Sequence, residues 1–315
     1  MALMLQKIFH PPKLISSKLE NNHHHHESEA LSASLYSFRS DVSNSLNQLS
    51  RNLKSGSEFL SFSWIQQCVE LLSTLNKAFA KLVVEIEYPV NKWEIPSMEK
   101  YLNYSLKLLD FLNSMSSSVS HLGQVRVSIS HALSLVESSP QSAIERLSAI
   151  QFKNQSKDSK VEEKMKEVSE EMNYSERELV FHEALEEMKR IGYWVCGVVL
   201  FGLSGDIEPY SVMKKATGGF PGSSLVALDL SFSEVVAAEE KAVPKQLREV
   251  INEAAACLVE PSGDGKSGGA IKELERKLEV MEEVMDGIGK EADSIFSEVL
   301  AGRNELLDVL RQLKQ

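Results

Sequence analysis

Cysteine is scarce in this sequence: Cys68, Cys196 and Cys257 are the only three, far apart and without a C-x-x-C pair. An odd, scattered set argues against a disulfide framework and a thiolate zinc site, and it fits a reducing, intracellular compartment. Proline and glycine are also few, 9 and 16 of 315 residues, which leaves room for long helices. Basic blocks of five or six residues are missing from a chain whose formal charge is −11. Neutralising phosphates takes clustered Lys and Arg, so nucleic acid is not an expected partner. No apolar/polar alternation of period two lasts long enough to argue for a sheet. Nor does any apolar run reach the roughly 20 residues of helix that cross a bilayer core.

What is present is apolar sequence enough for a sizeable core, 43% of residues against 25% charged. The charge is uneven. Residues 1–150 hold 13 Lys/Arg and 13 Asp/Glu, whereas residues 151–315 hold 21 and 32, so all the net charge lies in the second half. The first 19 residues carry Lys7, Lys13 and Lys18 and no acid, as transit peptides do, but arginine is missing there and Pro11–Pro12 break an amphipathic helix. The tract His23–His26 could hold a metal loosely; its polar flanks read instead as a solvated low-complexity linker.

Helical periodicity dominates. Leu31, Leu35, Phe38, Val42, Leu46, Leu49 and Leu53 step by three or four and share one helix face. The stepping resumes with Trp64, Cys68, Leu71, Leu75, Phe79, Leu82 and Ile86, until Pro89 ends it. Ser97 is the expected N-cap of a third helix, whose apolar positions run from Tyr104 to Val136. A short helix near 141–150 follows, then the charged stretch 153–178, a linker or an exposed helix. Gly205, Gly218, Gly219, Pro221 and Gly222 make 204–223 a loop, and one helix is expected from near Ser231 to Leu258. After a flexible turn at EPSGDGKSGG, Ile271, Leu274, Leu278, Met281, Met285, Ile288, Ala292, Ile295 and Val299 form a heptad seam, extended by Leu306 and Leu310. The seam can pack within a bundle, the favoured reading, or accept a partner helix.

The expected architecture is therefore all-α: an elongated helical bundle with long antiparallel helices and a coiled-coil-like C-terminal helix. Residues 1–29 form a disordered N-terminal segment, 30–152 the first helical part, 153–178 the charged connection, and 179–315 a second helical part packing on the first.

Motifs for catalysis are incomplete. GDGKS at 263–267 resembles the end of a phosphate-binding loop, but Glu260 stands where that loop needs glycine, and no strand precedes it. His182–Glu183 opens H-E-x-x, yet Glu186 occupies the second histidine position. His121 and His131 lie roughly 80° apart around one helix and do not pair. Acidic pairs such as Glu170–Glu171 and Glu282–Glu283 sit in polar segments where water keeps carboxylates ionised. No catalytic, cofactor-binding or metal-ligating residue is assigned, no cofactor is expected, and an enzyme is not the expected class. The run Ile191–Leu203 (IGYWVCGVVLFGL) is thirteen residues long between Lys189–Arg190 and Asp206. It reads as a buried core helix; the alternative is an interfacial membrane contact with Tyr193 and Trp194 at headgroup level.

Three stretches resemble the plant BYPASS family: SWIQQCVELL (63–72); PVNKW with YLNYSLKLLD (89–93, 101–110); and KEADSIFSEVLAGRNELLDVLR (290–311), with Leu300, Gly302, Arg303, Leu306 and Leu307 at its centre. They occur in the family's order, together with the apolar run ending at Ser204–Gly205. The resemblance implies a helical plant protein without known catalytic residues, whose founding member restrains a root-derived mobile signal that arrests shoot growth. Relatives linked to the exocyst and membrane trafficking imply the alternative, a peripheral membrane adaptor with exocyst components as protein partners. The His-rich tract, the acidic 153–178 stretch and the GDGKSGG turn depart from the family pattern. Trp64 and Trp93 are expected to anchor packing, and Gly302 to admit a close neighbour at a cost of about 1 kcal/mol relative to Ala. The expected compartment is intracellular, cytoplasmic first, with membrane association or the plastid as alternatives; the sequence sets no oligomeric state.

Overall fold

A computed structural model describes residues 23–53, 60–136, 138–150, 175–219, 223–238, 245–259 and 266–313. They form nine α-helices, a 3-10 turn at Val90–Lys92 and no strand: α1 His23–Leu53, α2 Phe62–Glu85, α3 Ile95–Ser134, α4 Pro140–Ser148, α5 Glu176–Ser204, α6 Glu208–Ala216, α7 Ser223–Ala238, α8 Lys245–Val259 and α9 Lys266–Leu313.

Five of these make the frame, and side-chain pairs give their directions. Lys81 reaches Ser37 and Asp41, so α2 packs along α1. Arg39 bonds Glu183 and Glu187, and Arg177 pairs with Glu27, so α5 runs parallel to α1. Phe79 packs on Phe181 while Ile65 meets Gly202, which sets α5 antiparallel to α2. Ser97 meets His182 and Tyr104 lies on Tyr193, so α3 runs parallel to α5. Ser116 bonds Asp293 and Arg126 bonds Glu282, so α9 descends α3. Its 48 residues extend about 72 Å at 1.5 Å per residue, giving the bundle its long axis.

The apolar stepping translates into burial. Every stepping residue of α2 from Trp64 to Ile86 is buried, and Ile65, Val69, Leu72 and Val83 bury a second face. All residues from Ile191 to Leu203 are buried as well, so the C-terminal half of α5 is enclosed on every side. Each fully buried Val, Leu or Phe side chain contributes about 1.5–3 kcal/mol, which makes this run a main source of stability. Along α9, Leu274 through Val299 and Leu306 are buried against α2 and α3, with Ile271 and Leu310 half-buried.

Several boundaries differ from those the sequence suggests. Helix α1 begins at His23, inside the segment expected to be disordered, so the histidine tract opens a helix; residues 1–22 lie outside the described residues. Glu94 caps α3, with Pro96 in its first turn, where a missing N–H costs nothing. Ser97 is thus inside the helix rather than capping it. The expected loop at 204–223 contains α6, because Tyr210 and Met213, three apart, bury one face between the flanking glycines. The single helix expected from Ser231 to Leu258 is two, α7 and α8, and residues 239–244 between them, which include Pro244, lie outside the described residues. Helix α9 starts at Lys266, within the segment read as a turn. Most of the charged 153–178 stretch is outside the described residues; its end supplies the N-terminus of α5, where Ser175 and Glu178 form a reciprocal capping box.

Candidate functional site

Two buried polar clusters and one open cleft are the places where this fold concentrates chemistry. The first cluster joins the starts of α3 and α5. Ser97 lies on the inner side of the first turn of α3, fully buried, with its hydroxyl 3.1 Å from Nε2 of His182. Glu178, one helical turn before His182, accepts a 3.0 Å hydrogen bond from Tyr88 and a 2.9 Å bond from the Ser175 backbone N–H. Burial disfavours the Glu178 carboxylate, but bonds from Ser175 and Tyr88 outweigh it and hold its pKa below the usual range. Burial pushes His182 down, and Lys100 adds to this against the pull of Glu178 and Glu186. Trp93 seals the cluster, donating 2.9 Å to the Tyr88 carbonyl and packing 4.5 Å from the Phe181 ring.

A hydroxyl 3 Å from an imidazole is the geometry of an activated nucleophile. Here the serine is enclosed, and its hydroxyl and the imidazole tie α3 to α5. The histidine of that incomplete sequence motif makes a helix contact with Ser97, and among the described residues no three His, Cys, Asp or Glu side chains gather as a metal set. Cys68 and Cys196 are buried thiols whose pKa burial raises, which disfavours the reactive thiolate.

The second cluster centres on Asp229 of α7, a carboxylate only 8% exposed. Its Oδ1 accepts from Trp194 Nε1 at 3.1 Å and from the Tyr210 hydroxyl at 2.5 Å, and its Oδ2 accepts from Lys214 at 2.7 Å. Lys214 also donates to the Tyr210 hydroxyl and stands 5.3 Å from that ring's centroid. Burial works against the Lys214 ammonium, but Asp229 and Tyr210 outweigh it and raise its pKa. Burial, reinforced by Asp229, raises Tyr210 too. Three helices, α5, α6 and α7, thus share one carboxylate. Sequence patterning passes over this residue because its partners come from two other helices; the signal available was a lone acid inside the apolar helix LVALDLSF.

The cleft, about 310 Å³, lies between the start of α2, α8 and α9; Phe62, Val250, Met281 and Val284 line it, and a 2.7 Å Lys277–Glu253 ion pair lies on its rim. Arg303 has a structural role: it donates to the Leu102 carbonyl and, at 3.1 Å, to the Ser105 hydroxyl, clamping α9 to α3. His121 Nε2 is buried without a partner among the described residues. No helix among the described residues is long and apolar enough to cross a membrane.

Comparison with known proteins gives this geometry a family. The family described as Protein BPS1 matches residues 90–309, from the 3-10 turn through α9. Protein BPS1, chloroplastic, of Arabidopsis thaliana is 24% identical over 302 residues, covering 89% of this chain and 84% of that protein. UPF0496 protein 4 of Oryza sativa subsp. indica is 34% identical over 111 residues, only 35% of this chain and 24% of that protein, and the subsp. japonica protein is 33% identical over the same length. No solved structure matches. The matched span holds the Ser97–His182 contact, the Asp229 cluster and the Arg303 clamp, and over that span the chain belongs to the BPS1, or BYPASS, family.

Proposed function

We propose that this protein is a non-catalytic regulator of plant development that acts by binding other proteins and restrains a root-derived mobile signal arresting shoot growth. The observation that carries this reading is the family match across residues 90–309, in which the resemblance motifs at 89–93, 101–110 and 290–311 fall almost entirely. The architecture agrees with it: Glu178 and His182 near the start of α5, and Asp229 with Lys214, are engaged with neighbouring elements of the fold. Burial of the whole 191–203 run favours regulation over a membrane-bound adaptor, since a bilayer contact by those side chains would require the bundle to open. The cytoplasm is the compartment we assign, with the plastid as its competitor in a fluorescent-fusion experiment, because the Arabidopsis relative is named chloroplastic.

Grafting tests the proposal. Removing the gene from its plant and joining normal shoots to mutant roots should arrest the shoots, and affinity purification of the intact protein should recover specific protein partners. Normal growth above mutant roots removes the mobile-signal reading. Recovery of nothing beyond the tag control removes the binding mechanism.

A further inference from the structure

We propose that α6 and α7 form a strap across the C-terminal half of α5 that opens as a unit, and that Asp229 is the latch holding it closed. The inference goes beyond the developmental reading and does not depend on it. Its basis is the division of labour around α5. Gly192, Tyr193 and Cys196 face Tyr104 of α3, and Gly202 faces Ile65 of α2. The strap takes the remaining side, where Trp194, Gly197 and Phe201 lie at i, i+3 and i+7 along one stripe. A Cβ on Gly197 would come 2.7 Å from the Tyr210 Cα, so α6 sits directly on a glycine notch. Phe232 of α7 completes the cover, edge-on to Phe201 at 5.3 Å and to Tyr210 at 4.6 Å.

Apart from the packing of α7 on α1, the five-helix frame holds together without this cover, because α1, α2 and α3 hold α5 and α9 docks on α2 and α3. The strap, by contrast, converges on one buried carboxylate. Removing its charge takes the ion pair from Lys214 and weakens the acceptor for Trp194 and Tyr210 together, so α5, α6 and α7 lose their shared anchor in one step. Opening at that point is sub-global: it uncovers the Trp194–Gly197–Phe201 stripe and leaves the rest folded. The latch thereby controls access to an apolar face with a notch in it.

Peptide-resolved hydrogen exchange on the full chain tests this, with alkylation of Cys196 as a second readout because that thiol neighbours Tyr104 of α3, away from the strap. Asp229→Asn should raise exchange in peptides of α6 and α7 tenfold or more, leave those of α2, α3 and α9 within twofold of the parent, and keep Cys196 protected. Lys214→Met, which keeps the carboxylate and removes only the ammonium, should raise the same peptides by less. Unchanged exchange in α6 and α7 in either variant overturns the proposal. So do a rise shared by α2, α3 and α9, labelling of Cys196, or failure of Asp229→Asn to fold, because each makes the network part of a common core.

Discussion

His182 on α5 presents Nε2 to the Ser97 hydroxyl on α3 at 3.1 Å, in a site that burial and Lys100 make unfavourable for the imidazolium. The native histidine therefore binds its proton at lower pH than the unfolded chain does. Stability from the neutral imidazole is full above the ordinary histidine pKa near 6.5 and is lost as pH falls toward the depressed native value. Urea unfolding at pH 7.5 and 5.5 should show the parent losing more stability across this interval than His182→Gln. Equal losses would contradict the assignment.

Gly192 and Tyr104 form a size-matched pair. A Cβ at Gly192 would stand 2.7 Å from the Tyr104 hydroxyl, which is itself buried without a partner among the described residues. Gly192→Ala should cost about 1–3 kcal/mol by overpacking, and adding Tyr104→Phe should recover most of it. Tyr104→Phe alone should be neutral or stabilising by about 1 kcal/mol, since it removes an unsatisfied hydroxyl. Thermal melts of the four combinations check the cycle. Gly197→Ala offers no such rescue, because the obstructing atoms are the backbone N and Cα and the Cβ of Tyr210, which shortening the side chain to alanine leaves in place.

Arg303 should be irreplaceable by lysine. Its guanidinium serves the Leu102 carbonyl and the Ser105 hydroxyl from one nitrogen, across two long helices. Arg303→Ala should lower unfolding free energy by about 1–3 kcal/mol, and Arg303→Lys, a point charge on a different stem, should restore less than half. Denaturant midpoints decide between partial and full restoration.

Cys68 and Cys196 should resist a thiol reagent in the folded protein and react only after unfolding. Both are buried, and burial raises both pKa values, so thiolate and access are missing together. Mass spectrometry after a timed pulse of iodoacetamide reads each site separately; rapid labelling of either in the native state contradicts the packing.

Long helices were legible in the sequence because their apolar residues repeat near 3.6, and α2 and α9 bury the very stepping residues that repeat. What stayed hidden depended on contacts between elements. Ser97 resembles a cap, since serine before a helix usually accepts from the backbone; it turns inward only because α5 brings His182 to it. Helix α6 is short and flanked by glycines, so two buried residues, Tyr210 and Met213, carry too little periodicity to outweigh the turn signals. Pro244 is a local signal against one helix from Ser231 to Leu258, but the good helix formers on either side of it, EEKA and KQLRE, mask that signal. The family motifs marked Arg303 as notable, and its role required knowing that Leu102 lies opposite.

The clamp between Arg303 and Leu102 joins positions 201 residues apart. Loop closure over such a distance is entropically unfavourable until many contacts form together, so α9 is expected to dock late. Until then the faces of α2 and α3 that receive Leu278, Met285 and Ile295 stand open to water, and a chain still being synthesised presents them to whatever apolar surface is nearby. A truncation ahead of α9 should accordingly yield an aggregation-prone species that engages holdase chaperones, not a smaller stable bundle.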